Sequence, residues 1–140
     1  LPSRAIDVGR DGGIEFEGNV CSGLGEGARF VALDWVGREF RRALGFEPWP
    51  GTLNLQMGGA AWARWRRGLT ANDGIAIAPP PGFCAARCFV VQLDGRVRAA
   101  AVIPDVSDYP PDKLELVAPV ALRAALALRD GSPVRVRLEA

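Results

Sequence analysis

Apolar and polar residues alternate with a period of two along several short stretches, most of them bounded by glycine, proline or aspartate. Ile14-Glu15-Phe16-Glu17-Gly18-Asn19-Val20 has this pattern and predicts a half-buried strand. Thr52–Met57, Ile75–Ala78, Phe83–Leu93, Arg96–Ile103, Leu114–Val117 and Val134–Leu138 predict further strands. The short apolar run Phe30–Leu33 predicts a strand leading into a helix. Asp94-Gly95 between two strand stretches is a hairpin signal. Helical spacing appears over 35–44, where Trp35, Val36, Phe40, Ala43 and Leu44 share a face and Arg38, Glu39, Arg41 and Arg42 lie largely opposite. Gly45 suits the C-terminal cap of that helix. A second helix is expected over Ala60–Arg67. A third is expected over Val120–Leu128, opened by Pro119 and ended by Asp130-Gly131. Many short strands, two or three short helices and no βαβ alternation predict a mainly β protein, a small barrel with helical decorations. Residues 1–13 read as a flexible N-terminal arm and 14–140 as one domain.

Composition narrows the chemistry. The 140 residues are 49% hydrophobic and 24% charged, enough for a real core and typical of a globular domain. The net charge of +1 gives no footprint for nucleic acid or a membrane surface. There is no histidine, which removes histidine-based acid–base catalysis, Ser-His-Asp triads and histidine-ligated zinc. Cys21, Cys84 and Cys88 are odd in number and lack the spacing of a disulfide framework. They are expected to be buried or half-buried thiols in a reducing, cytoplasmic compartment.

Two stretches carry candidate chemistry. Gly23-Leu24-Gly25-Glu26-Gly27-Ala28 places three glycines at alternate positions. Such a loop is either a tight hairpin turn or a nest of backbone N–H groups for anionic oxygen. Downstream, Pro48-Trp49-Pro50-Gly51 is a rigid turn leading to Thr52-Leu53-Asn54-Leu55. Residues i and i+2 on a strand face one side, so Thr52 and Asn54 share a face and Leu53 and Leu55 turn to the core. The pair is either the polar face of an ordinary strand or a set of neutral hard oxygens for Mg²⁺. In the second case phosphate oxygens and water supply the remaining ligands. Trp62 and Trp65, with Arg64, Arg66 and Arg67 around them, form either a packing face or a nucleic-acid patch. Trp49 and Tyr109 are aromatic groups for stacking on a ring or for the core.

In order and spacing, G-L-G-E-G at 23–27, L-G-F-E-P-W-P-G-T-L-N-L at 44–55, L-E-L-V-A-P-V-A-L-R at 114–123 and D-G-S-P-V-R-V at 130–136 resemble the archaeal-type CTP-dependent riboflavin kinase family. The resemblance runs from about residue 14 to the C-terminus. It implies a six-stranded cradle-loop type β-barrel and Mg²⁺-dependent transfer of a phosphoryl group from CTP to the 5′-hydroxyl of riboflavin, giving FMN and CDP. Position by position, it implies nucleotide binding at Gly23, Leu24, Gly25, Glu26, Gly27 and Ala28, and again at Val120, Ala121, Leu122 and Arg123. It implies metal ligation by Thr52 and Asn54, and flavin contacts by Ser107 and Glu115. Glu115 is the candidate to accept a hydrogen bond from the ribityl hydroxyl or to act as base. Arg123 is a candidate to neutralise phosphate. The chain departs from the family pattern where a lysine usually precedes the leucine–arginine pair, here Ala121, and in the loop beside Ser107, which commonly carries a histidine and here has Asp108 and Tyr109. The alternatives are a non-catalytic flavin- or nucleotide-binding module and a swapped-hairpin-like DNA-binding barrel. The near-neutral charge opposes the latter.

Overall fold

The computed structural model describes residues 14–23, 31–70, 72–106 and 108–139, together with the backbone of Asp7–Val8. Among these residues there are eight strands: β1 (Asp7–Val8), β2 (Ile14–Cys21), β3 (Leu53–Gly58), β4 (Ile75–Ile77), β5 (Ala86–Leu93), β6 (Val97–Pro104), β7 (Lys113–Val117) and β8 (Pro133–Leu138). Three helices accompany them: α1 (Asp34–Leu44), α2 (Ala60–Arg67) and α3 (Leu122–Ala125).

The strands close into a six-membered antiparallel ring in the order β2-β3-β7-β6-β5-β8, and β8 returns to β2. The expected six-stranded barrel is therefore present. β4 lies outside the ring. It pairs with Ala86–Cys88 of β5, and β8 pairs with Val91–Leu93 of the same strand. Both halves of β5 also pair with β6, so β4 and β8 lie end to end along one edge of β5. Within the expected N-terminal arm, Asp7 and Val8 pair with Glu15 and Ile14.

Period-two alternation builds the core. Phe16, Val20, Leu53, Leu55, Met57, Leu114, Leu116, Val134 and Val136 turn inward and are all buried. Gly18 also faces inward, where a Cβ would come within 2.5 Å of the Met57 sulfur and 3.2 Å of the Gln56 carbonyl, so a side chain here would push Met57 aside. Trp62 of α2 joins the interior cluster, donates its indole N–H to the Pro111 carbonyl (2.9 Å) and meets Phe16 edge-on at 5.4 Å. The tryptophan pair of α2 is thus a packing face. A second apolar cluster lies on the outer side of β4–β7, where Val36 and Phe40 of α1 cover Ile77, Cys88, Ala100, Val102 and Val117. Gly45 takes φ 77° and caps α1 as expected, while Arg41 and Arg42 pair at the surface with Glu47 and Glu39. At the β5–β6 hairpin, Asp94 (φ 52°) and Gly95 (φ 65°) are both left-handed, and Arg96 N–H donates to the Leu93 carbonyl (2.9 Å).

Three local expectations need correction. Val31–Leu33 is not a strand; Val31 is helical and Ala32–Leu33 turns the chain into α1, where the Leu33 carbonyl accepts from the Val36 and Gly37 amides. Strand β5 begins at Ala86, because the chain from Phe83 to Ala85 is still leaving the Pro79–Gly82 turn. The helix expected over 120–128 is only α3. Ala121 is still extended (ψ 104°), and Ala127 adopts φ 52° while Leu128 N–H reaches back to the Arg123 carbonyl (2.8 Å). That six-to-one bond ends the helix early and turns the chain toward β8. Of the three thiols, Cys88 is buried and Cys21 half-buried as expected, but Cys84 is exposed on the turn before β5. No helix of the described residues is long and apolar enough to cross a membrane.

Candidate functional site

On the outer face of the barrel, the strand register aligns Cys21, Asn54, Glu115, Val102 and Cys88 in one row across β2, β3, β7, β6 and β5. The Val102–Cys88 end of this row lies in the cluster beneath α1. The other end is polar. Asn54 and Glu115 are direct cross-strand partners, so two residues 61 positions apart in sequence become neighbours.

Around Glu115 the site is closely held. Tyr109, on the loop between β6 and β7, donates its hydroxyl to Oε1 at 2.8 Å. Lys113 Nζ lies 3.8 Å from the same oxygen and 5.7 Å from the Tyr109 ring centroid. Thr52, immediately before β3, donates Oγ1 to the other oxygen, Oε2, at 3.5 Å. Burial pushes the Tyr109 phenol pKa well up, and the adjacent Glu115 charge and hydrogen bond push it further. The Arg66 guanidinium on α2 opposes this. Arg66 also keeps its Nε buried with no hydrogen-bond partner among the described residues.

Asn54 is the one buried polar side chain among the described residues. Gly23 stands directly over it; a Cβ there would lie 2.4 Å from Asn54 Nδ2 and 3.4 Å from Oδ1. The missing side chain is what lets the start of the glycine-rich stretch sit on the carboxamide. Beside Gly23, Ser22 donates its hydroxyl to Asp130 Oδ2 (2.7 Å), and Arg123 Nη2 donates to Asp130 Oδ1 (2.7 Å). These two bonds, Arg123 first, hold the Asp130 carboxyl below its ordinary pKa. They also tie the 22–23 stretch to the segment 120–123.

A cleft of about 170 Å³ adjoins Thr52 and is walled by Val120, Ala121, Leu122 and Arg123. Leu122 is buried and joins this wall to the barrel core. The structure therefore brings together Gly23, Thr52, Asn54, Glu115 and 120–123. Leu24–Ala28 and Ser107 lie outside the described residues. Among those described, no cluster of three or more His, Cys, Asp or Glu side chains could hold a metal. The oxygen donors at hand are Thr52 Oγ1, Asn54 Oδ1 and the Glu115 carboxylate, a hard set that suits Mg²⁺ completed by phosphate and water.

Sequence reasoning missed Tyr109 and Lys113 as partners of Glu115, and Arg66 as a charge acting on Tyr109. Lys113 was legible in principle, two residues from Glu115 on one strand face. Tyr109 reaches Glu115 through a loop with two prolines, and no spacing announces that contact.

The family model CTP-dep_RFKase, described as a domain of unknown function (DUF120), matches residues 20–138. A riboflavin kinase of Aeropyrum pernix is 42% identical over 127 residues, covering 88% of this chain and 94% of that protein. A riboflavin kinase of Methanococcoides burtonii is 38% identical over 141 residues, 96% of this chain and 61% of the relative. One from Pyrobaculum arsenaticum is 40% identical over 132 residues, 89% of this chain and 60% of the relative. The chain thus spans nearly the whole of the first relative and about three fifths of the other two.

Proposed function

Because the chain belongs to the CTP-dep_RFKase family, we propose that it transfers the terminal phosphoryl group of CTP to the 5′-hydroxyl of riboflavin, giving FMN and CDP with Mg²⁺. The observation that carries this reading is the cross-strand pair Asn54–Glu115 with Thr52 beside it. It puts a neutral oxygen pair for a metal next to a carboxylate for an alcohol, as phosphoryl transfer between two bound substrates requires.

In this mechanism Thr52 and Asn54 would hold Mg²⁺. When bound, the ion offsets charge on the transferring group. The amides from Gly23 through Leu24, Gly25, Glu26, Gly27 and Ala28 cradle the polyphosphate. Val120, Ala121, Leu122 and Arg123 contact the nucleotide from the other side. Ser107 and Glu115 bind riboflavin. Glu115 Oε1 accepts from Tyr109 with Lys113 beside it, so Oε2, held only by a long bond from Thr52, is the oxygen assigned to the ribityl hydroxyl. In-line placement and charge neutralisation supply most of the rate, which fits a chain without histidine.

A second reading, binding without turnover, has one observation in its favour. The segment 120–123 has alanine where the family usually has lysine, and its remaining cation, Arg123, is paired with Asp130. Incubation with riboflavin, Mg²⁺ and each of CTP, ATP, GTP and UTP, with FMN followed by chromatography, decides the matter. FMN formed with CTP supports the kinase. Flavin binding with no FMN from any nucleotide rejects it in favour of the binding module.

A further inference from the structure

Three large apolar side chains among the described residues are exposed, and two of them, Trp49 (51%) and Val120 (41%), wall the same cleft. The third, Phe83, packs against Trp35 at 5.4 Å and lies elsewhere. Apolar side chains gathered on a concave surface mark a place where something else is buried.

The backbone at Trp49 is fixed, and half of its side chain is exposed. Pro48 and Pro50 restrict the chain on either side, Pro48 is buried, and Trp49 N–H donates to the Ala118 carbonyl at 2.7 Å. An indole held on so rigid a support, with half its surface in water, is not packing the core. The floor of the cleft is apolar, made by Leu53, Leu116, Ala118 and Leu122. Its polar groups, Thr52 and Arg123, lie among the residues proposed above for the metal and the nucleotide. A rigid π face, an aliphatic neighbour and an apolar floor are the parts of a slot for a planar heteroaromatic ring.

We infer that Trp49 is the stacking platform for the base of the nucleotide, with Val120 as the apolar wall of the same slot. The flavin ring has the same planar chemistry. The base is favoured because the cleft continues into 120–123, whereas Glu115 and Tyr109 are not among its walls. The inference rests on the kinase reading for the identity of the ligand, but its test does not need turnover.

Binding is measured first, by titrating CDP with Mg²⁺ and following tryptophan emission. The wild-type signal is expected to be quenched. In Trp49→Phe the quench should be lost although calorimetry still detects binding, and in Trp49→Ala affinity should fall about tenfold, the scale of one lost base–aromatic stack. Kinetics then separate the substrates. Trp49→Ala should raise KM for CTP about tenfold, with KM for riboflavin and kcat changed less than about twofold, and Trp49→Phe should restore most of the loss. Phe83→Ala serves as the control for an exposed ring outside the cleft. A rise in KM for riboflavin instead of CTP, or CDP affinity unchanged in Trp49→Ala, overturns the assignment. If the wild type forms no FMN while the quench and its loss in Trp49→Phe persist, the kinase reading fails and the stacking platform stands.

Discussion

Gly23 lies against the carboxamide of Asn54 so closely that a single added carbon would fall 2.4 Å from Nδ2. The contact joins the segment just after β2 to the start of β3 on the polar side of the barrel. Nδ2 is the far end of a side chain, so Gly23→Ala is relieved by rotation of the amide rather than by shift of the sheet. The fold should survive with little change in melting temperature, while Asn54 Oδ1 swings out of line. Mg²⁺-dependent CDP affinity, measured by calorimetry, is expected to fall about tenfold, with riboflavin affinity nearly unaffected. Equal loss of both would remove Asn54 from the metal set.

Tyr109 holds Glu115 from a loop. Tyr109→Phe removes a hydrogen bond to a charged oxygen, worth about 1.5–3 kcal/mol when both groups are sequestered, and less here because Glu115 is only half-buried. We expect KM for riboflavin to rise several-fold with KM for CTP unchanged. Tyr109→Leu should be worse on both stability and riboflavin binding, since it also removes the aromatic face beneath Lys113. Unchanged riboflavin kinetics in Tyr109→Phe would mean that Lys113 and Thr52 alone fix the carboxylate.

Asp130 links two parts of the nucleotide side through Arg123 and Ser22. Its folded-state pKa is depressed, so its contribution to stability is complete above the unfolded value of about 3.9 and is lost as pH falls through the lower folded value. Asp130→Asn should therefore flatten the acid limb of the stability curve below about pH 4. The effect should shrink in high salt, because the pair is exposed. Thermal melts across pH 2–6 at two ionic strengths measure both.

Ala127 closes α3 in a left-handed conformation that costs an L-residue about 1 kcal/mol. Ala127→Gly should recover part of that strain, raising the urea midpoint without changing its slope. A lower midpoint would show that the methyl group makes a contact that outweighs the strain.

The same residue explains where sequence reading stopped. Strands β2, β3 and β5–β8 and helices α1 and α2 were legible because each buries one side of a short stretch, and that periodicity is local. The alanine- and leucine-rich run from Val120 to Leu128 has high helix propensity, yet the need to bring the chain back to β2 as strand β8 overrides it after four residues. Thr52, Asn54 and Glu115 were legible as residue types and as a family pattern. That Asn54 faces Glu115, that Tyr109 and Lys113 share one of its oxygens, and that Asp130 bridges to Ser22 depend on register and closure, which no window of sequence contains.

Strand β8 seals the barrel by pairing with both β2 and β5, joining Glu15 to Arg137 and Val91 to Leu138. The first and last strands of the ring are therefore stitched to each other. Until β8 is made, the earlier strands form an open sheet in which β2 and β5 each lack a neighbour, so closure of the ring waits for a long-range pairing. Loss of β8 would leave these two edges exposed to other molecules, so a variant lacking Pro133–Leu138 should aggregate rather than persist as a weakened monomer.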